Sequence, residues 1–278
     1  MKFAKMHGLG NDFILLARRE VPPDVNQLAV TLCDRHFGIG ADGLVFILPS
    51  EKADVRMRIF NADGTEAENC GNAIRCVGKY VYDHALLSKS NITVETLAGL
   101  KELTLHVEEG RVKSVTVDMG LPILNGREIP TLLEGEMIVN HPLRIGEREL
   151  SFTAVSMGNP HAVFFVEDLN SFPVEEIGPL IEHHSLFPAR TNAEFVTVEN
   201  RREMTMRVWE RGAGQTLACG TGACATLVSG VLNGLVDREA ILHLAGGDLL
   251  IRWDEESGHL FMTGPAVLVF QGEWEPES

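Results

Sequence analysis

The feature that most constrains this chain is a duplication. Cys70 and Cys219 stand 149 positions apart, and each sits on a glycine-rich turn that leads from a strand pattern into an apolar helical one. The first turn reads Asn61-Ala-Asp-Gly-Thr-Glu-Ala-Glu-Asn69-Cys70-Gly71-Asn72-Ala73. The second reads Glu210-Arg211-Gly-Ala-Gly-Gln-Thr-Leu-Ala218-Cys219-Gly220-Thr221-Gly222-Ala223. Two more landmarks keep nearly the same spacing: Gly10-Asn11 against Gly158-Asn159 at 148, and Leu97-Ala98-Gly99 against Leu244-Ala245-Gly246 at 147. One repeat pair is too few for a solenoid. The pattern therefore predicts two homologous domains facing one another across a pseudo-twofold axis, with a small-molecule site in the cleft between them.

Short apolar runs at Phe3 to Met6 and Phe13 to Leu16 flank the turn from His7 to Asp12 and suit a hairpin or a strand-loop-strand. Helical spacing begins after Pro22-Pro23-Asp24, again from Gly71 (Ala73, Ile74, Val77, Tyr80, Val81), from Val174 to His184, and roughly from Gly222 to Gly234. In the last of these nearly every direction is apolar or small, which predicts a surrounded helix. Strand patterns dominate the remainder. The fold class expected is α/β (α+β), with each half a curled, mostly antiparallel sheet around one central helix. Residues 120 to 148, with weak periodicity, three prolines and four glycines, are where the first half is expected to hand over to the second.

The 278 residues, 45% of them hydrophobic, are enough for two domains with buried cores. A formal charge of -15 opposes binding to nucleic acid phosphates and anionic membranes. No apolar core of a signal peptide is found at the N-terminus and no run approaches a membrane span, so a cytoplasmic protein is expected. Five cysteines, an odd number without an export signal, read as reduced thiols. Their spacing does not suit zinc, and no metal is expected. Cys33, Cys76 and Cys224 read as small core residues.

A cysteine at a helix start sees backbone N–H donors and the positive end of the helix dipole, which favour its thiolate, and the following amides form an anion site. Two such starts head to head would put a sulfur on each face of a carbon next to a bound carboxylate. That arrangement suits stereoinversion: one thiolate removes the α proton while the opposite thiol delivers another, and no cofactor is needed. Taken singly, each feature has a plainer reading. Either cysteine could be a core residue, Glu210 and Arg211 a surface ion pair, His161 a turn residue, and Asn11, Asn61 and Asn192 turn formers.

The motifs Met6-His-Gly-Leu-Gly-Asn-Asp-Phe13, Phe60-Asn-Ala-Asp-Gly64, Asn69-Cys-Gly-Asn72, Met157-Gly-Asn-Pro-His161, Arg190-Thr-Asn192 and the Glu210 to Ala223 stretch resemble the diaminopimelate epimerases, from Met1 to about Gly272. The resemblance implies interconversion of LL- and meso-diaminopimelate, on the route to lysine and peptidoglycan, without pyridoxal phosphate or metal. It implies two similar α/β domains, residues 1–118 plus 265–278 and residues 119–264, the final strand returning to the first. Cys70 and Cys219 would be the acid/base pair. Gly71, Asn72, Gly220 and Thr221 would hold the reacting carboxylate through their amides. Asn11, Asn61, Asn159, Asn192, Glu210 and Arg211 would bind the rest of the substrate, Arg211 opposite the distal carboxylate, while His161 and Glu210 adjust the thiols. Gly43 stands where some members carry a glutamine contact. A homodimer acting on a small amino acid is expected. Two other readings remain open from the residues: another amino-acid racemase on the same scaffold, and a thiol redox sensor in which Cys70 and Cys219 form a reversible disulfide.

Overall fold

A computed structural model describes residues 1–68 and 70–275; Asn69 of the first cysteine motif lies outside the described residues, as do residues 276–278. The chain divides into two compact units, one of Met1–Asp118 with the chain from Thr263 onward, the other Met119–Met262.

In the first unit β1 (Lys2–Gly8) and β2 (Asn11–Ala17) form an antiparallel hairpin in which Gly8 pairs with Asn11. The two-residue loop has positive φ at both Leu9 (56°) and Gly10 (84°), the conformation such tight hairpins require. A leucine there is strained, and burial of its side chain, 3% exposed, holds it in place. Helix α1 (Val25–Cys33) carries the chain across to β3 (Gly43–Leu48), parallel to β2. Then β4 (Val55–Asn61) runs antiparallel to β3, and the two-residue β5 (Glu66–Ala67) folds back on its end. Helix α2 (Gly71–Asp83) leads to β6 (Asn91–Thr96), parallel to β4, and to the antiparallel β7 (Gly99–Glu108) and β8 (Arg111–Gly120).

The second unit starts with β9 (His141–Ile145) and repeats the pattern: β10 (Arg148–Ser156) and β11 (Pro160–Phe165) antiparallel, α3 (Val174–Glu182) crossing to the parallel β12 (Asn192–Asn200), then antiparallel β13 (Glu203–Glu210) and short β14 (Gly214–Thr216). Helix α4 (Gly220–Leu232) leads to β15 (Glu239–Leu244), parallel to β13, followed by β16 (Gly247–Trp253) and β17 (Leu260–Pro265). Finally β18 (Val267–Glu273) pairs with β1 in the first unit, whereas β9 pairs with β10 in the second.

The duplicated pairings bear out the mixed, mostly antiparallel fold with a central helix in each unit. Within the first unit α2 touches β1, β2, β4 and β7; within the second α4 touches β10, β11, β12, β15 and β16. Ala73, Ile74, Cys76 and Val77 are fully buried, as are Ala223, Cys224, Ala225, Leu227 and Val228. All five cysteines are free thiols, and the core ones are inert: burial pushes Cys33 up to about 11 and Cys76 to about 12. One expectation needs correction: helix α4 begins at Gly220 rather than Gly222. Within residues 120–148, Ile129 and Ile138 enter the core of the second unit and His141–Ile145 form β9.

Two local devices fix the approach to the cysteines. Gly178 of α3 faces Trp209, and a Cβ there would lie 2.5 Å from its ring. Trp209 in turn donates to Glu182 Oε2 (2.8 Å), while Glu182 Oε1 takes the Gly212 N–H (2.9 Å), so α3 anchors the β13–β14 turn. In the first unit Asp12 sits between Lys5 (2.6 Å) and Arg35 (2.8 Å), and Arg35 also pairs with Asp42 (2.8 Å). Burial alone would raise the Asp12 carboxyl, but the hydrogen bonds and charges of Arg35 and Lys5 hold it well below the usual carboxylate range.

Gly178→Ala should lower the urea midpoint with unchanged slope, by overpacking worth about 1–3 kcal/mol; an unchanged midpoint would show that Trp209 can move. A depressed folded-state value means that the Asp12 contribution is present above the unfolded carboxylate range and is lost as pH falls. Asp12→Asn should therefore be less stable than wild type by about 1–2 kcal/mol at pH 7, a gap that narrows from about pH 5 downward. Equal gaps at all pH values would contradict the ion-pair account.

Candidate active site

Each unit presents its cysteine as the residue capping a buried helix. Cys70 precedes α2 in an extended conformation (φ −151°, ψ 115°), and Cys219 precedes α4 likewise (φ −121°, ψ 109°). The short strands β5 and β14 deliver the chain to these positions. The first N–H groups of an α-helix find no acceptor within it, so both starts offer donors to an anion.

In the first unit Cys70 is half-buried and its Sγ donates to Asn11 Oδ1 at 3.8 Å. The orientation of Asn11 is dictated by its other end, where Nδ2 donates to Asp42 Oδ2 (2.8 Å). Asn72 Nδ2 donates to the same Asn11 oxygen (3.1 Å), and Asn72 Oδ1 accepts from the fully buried Arg75 (2.8 Å). Arg75 also donates to the carbonyls of Gly71 (3.1 Å) and Pro265 (3.2 Å). Asn11, Cys70, Gly71 and Asn72 are thus brought together. Asn61 lies exposed at the end of β4, paired across the ladder with Gly43, and its amide donates to Thr65 (3.0 Å).

In the second unit Cys219 is 5% exposed and its Sγ accepts the Gly222 N–H (3.4 Å) and lies 3.5 Å from Thr221 Oγ1. Asn159 Nδ2 donates to that hydroxyl (3.3 Å), and Asn159 Oδ1 is 3.1 Å from His161 Nε2. His161 Nδ1 is 2.6 Å from Glu194 Oε1, both side chains fully buried. Glu210, half-buried, takes a short hydrogen bond from Thr216. Burial raises the Glu210 carboxyl, and hydrogen bonds from Thr216 and Cys219 oppose that rise. Asn192 is buried with its amide already used, donating to the Pro160 carbonyl (2.7 Å) and accepting the Arg211 N–H (2.9 Å), so it orients Arg211. Arg211 is exposed and its guanidinium donates to the Ala189 carbonyl (3.2 Å).

One expectation reverses. The helix start should favour the thiolate, yet Cys219 is pushed well above its ordinary value, first by burial and then by the charges of Glu210 and Glu194, which outweigh the donors Thr221 and Gly222. Sequence reasoning missed Arg75, Glu194, Glu182 and Asp42. Arg75 and Glu194 are single charged residues in otherwise apolar patterns, and such an interruption was the available signal. Among the described residues no cluster of three or more His, Cys, Asp or Glu is arranged to hold a metal ion, and no helix is long and apolar enough to cross a membrane.

Among solved structures the fold resembles a hydroxyproline epimerase from Agrobacterium vitis (TM-score 0.72, 16% identity, covering 98% of this chain and 91% of that one). It also resembles a PhzF-family phenazine biosynthesis protein of Bacillus anthracis (0.72, 18%, 99% of both chains). Sequence relatives are nearer. The diaminopimelate epimerase of Acetivibrio thermocellus is 57% identical over 274 residues, 98% of both chains. That of Methanococcus maripaludis is 55% identical over 274 residues, 98% of this chain and 99% of its own. The diaminopimelate epimerase family model matches residues 3–124 and 153–269. With both cysteine motifs inside the matched segments, the chain belongs to the diaminopimelate epimerase family.

Proposed function

We propose that this protein interconverts LL- and meso-diaminopimelate, with Cys70 and Cys219 as the two proton carriers. The observation that carries the reading is the repeated capping cysteine: each unit offers one thiol at the start of a buried helix, Cys70 bonded to Asn11 and Cys219 linked to the equivalent Asn159 through Thr221. Inversion at an α carbon requires a base on one face and an acid on the other, and a pair of thiols can exchange these roles with the direction of reaction.

The first-turn amides of α2 and α4, at Gly71, Asn72, Gly220 and Thr221, suit the carboxylate next to the reacting carbon. Their dipoles would stabilise charge that builds there as the proton leaves. This electrostatic help matters most, because an α proton of an amino acid is a very weak acid. Arg211 fits the distal carboxylate as a planar donor pair, and Asn11, Asn61 and Asn159 supply amides that distinguish ammonium from carboxylate. Asn192, held between Pro160 and Arg211, serves by placing Arg211. Glu210 and His161 bear on the Cys219 side, where Glu210 shares a hydrogen bond with the thiol. A homodimer in the cytoplasm, working without pyridoxal phosphate or metal, completes the reading.

In deuterated water either isomer should gain solvent deuterium at one α carbon. Cys70→Ala and Cys219→Ala should each lower interconversion by at least about 10³-fold. Full activity in either variant would remove the two-thiol mechanism. If only amino acids lacking a distal amino-acid group were turned over in a substrate panel, the related-racemase reading would replace this one.

A further inference from the structure

The two units carry the same asparagine beside the thiol but surround it differently. By the repeat spacing and the matched pairings, His161 corresponds to Phe13, Glu194 to Val45 and Gly222 to Ala73. The three differences belong together. A Cβ on Gly222 would lie 2.7 Å from Glu194 Oε1 and 3.2 Å from Cys219 Sγ, so the carboxyl occupies space that only glycine in the first turn of α4 leaves open. Glu194 is fully buried, and its Oε2 makes no hydrogen bond. An ionised carboxylate with an unpaired oxygen is costly in such a place, which favours a carboxyl that shares a proton.

Four links run from this carboxyl to the sulfur: Glu194 Oε1 to His161 Nδ1 (2.6 Å), His161 Nε2 to Asn159 Oδ1 (3.1 Å), Asn159 Nδ2 to Thr221 Oγ1 (3.3 Å), and Thr221 Oγ1 to Cys219 Sγ (3.5 Å). An amide oxygen only accepts, so His161 Nε2 must carry hydrogen. The 2.6 Å link needs a second hydrogen between Nδ1 and Oε1, on whichever atom. The pair therefore holds one proton more than a neutral histidine beside an ionised glutamate. With Thr221 accepting from Asn159, its own hydrogen is left to point at sulfur, next to the Gly222 N–H.

We propose that Glu194 is a positioning residue for the Cys219 thiol: sharing a proton with His161, it makes Asn159 and Thr221 direct their hydrogens toward the sulfur and so supports the thiolate when it forms. Loss of that proton turns Nδ1–H to an ionised Glu194 and bares Nε2; Asn159 then flips, and the chain runs away from the sulfur. In the first unit the amide is turned the other way, because Asp42 directs the Asn11 oxygen toward Cys70. The inference rests on reading Cys219 as a proton carrier. The other ionisable groups on the elements about α4 are Glu210 on β13 and, on the strands packed against the helix, the exposed Arg148, Glu149, Glu199, Glu239, Asp248 and Arg252 and the partly exposed His243, which pairs with Asp248 (2.8 Å).

Glutamine at position 194 has no proton to lose and can donate its amide to Nδ1 at every pH, so the direction toward sulfur stays available where Glu194 would have ionised. Glu194→Gln should keep activity within about threefold of wild type at neutral pH, and the alkaline limb of kcat/KM should move up by about one pH unit or more. A profile that superimposes on wild type, or a loss above tenfold at neutral pH, overturns the proposal. Nitrogen-15 NMR of histidine-labelled wild type gives a readout independent of turnover. Hydrogen on His161 Nε2 at neutral pH is expected, and a ring protonated at Nδ1 alone overturns it. Wild type inactive on diaminopimelate but with Nε2–H present would sink the proposed function and leave the hydrogen-bond chain standing.

Discussion

A helix enclosed by its own sheet can show polar backbone only at its ends, and this constraint organises the site. α2 and α4 bury most of their length, and their unpaired N–H donors lie at their first turns, at Gly71-Asn72 and Gly220-Thr221. The residue just before must turn sharply, and in both units it is a cysteine in extended conformation, led in by a strand of only two or three residues. Helix enclosure and thiol placement are one requirement. Arg75, donating to the Gly71 carbonyl and to Asn72 Oδ1, holds the start of α2 and with it the position of Cys70.

Amide orientation is the second level of control. Asparagine presents either an acceptor or a donor to its neighbour, and a charged group elsewhere decides which. Asp42 claims the nitrogen of Asn11 and Arg75 the oxygen of Asn72, so the first thiol meets a carbonyl oxygen. In the second unit the carbonyl of Asn159 goes to His161, and its nitrogen turns toward Thr221 and the sulfur beyond. The repeated scaffold thus carries two thiols with unlike surroundings.

How much of this was legible in the sequence follows from what burial hides. The helices at Gly71 and Val174, the hairpin at Gly10-Asn11 and the paired cysteine turns were visible because periodicity and glycine turns are local signals. The start of α4 was placed two residues late, since Gly220-Thr221-Gly222 reads as loop until the enclosing sheet fixes it. β5 and β14 are too short to show a period. Arg75 and Glu194 sit in apolar runs whose pattern they merely interrupt, and their roles depend on partners far along the chain, Pro265 and His161. At Cys219 a helix start alone would lower proton affinity, but burial and then the charges of Glu210 and Glu194, none of them legible in the local sequence, raise it more.

The last strands of the two repeats also have a consequence for how the molecule is made. β9 follows the first repeat yet pairs with β10 in the second unit, and β18 follows the second repeat yet pairs with β1. Lys2 has to wait for Glu273, and Trp274 N–H then reaches back to the Met1 carbonyl at 2.9 Å. Of the described strands a ribosome delivers β1 before all the others and its partner β18 after them. The second unit, contiguous in sequence, has all its strands in hand while the first still has one edge open. Closing so long a loop costs little extra in stability, since that cost grows only with the logarithm of length, but it slows the final step. The thiol synthesised earlier therefore belongs to the unit that is finished later.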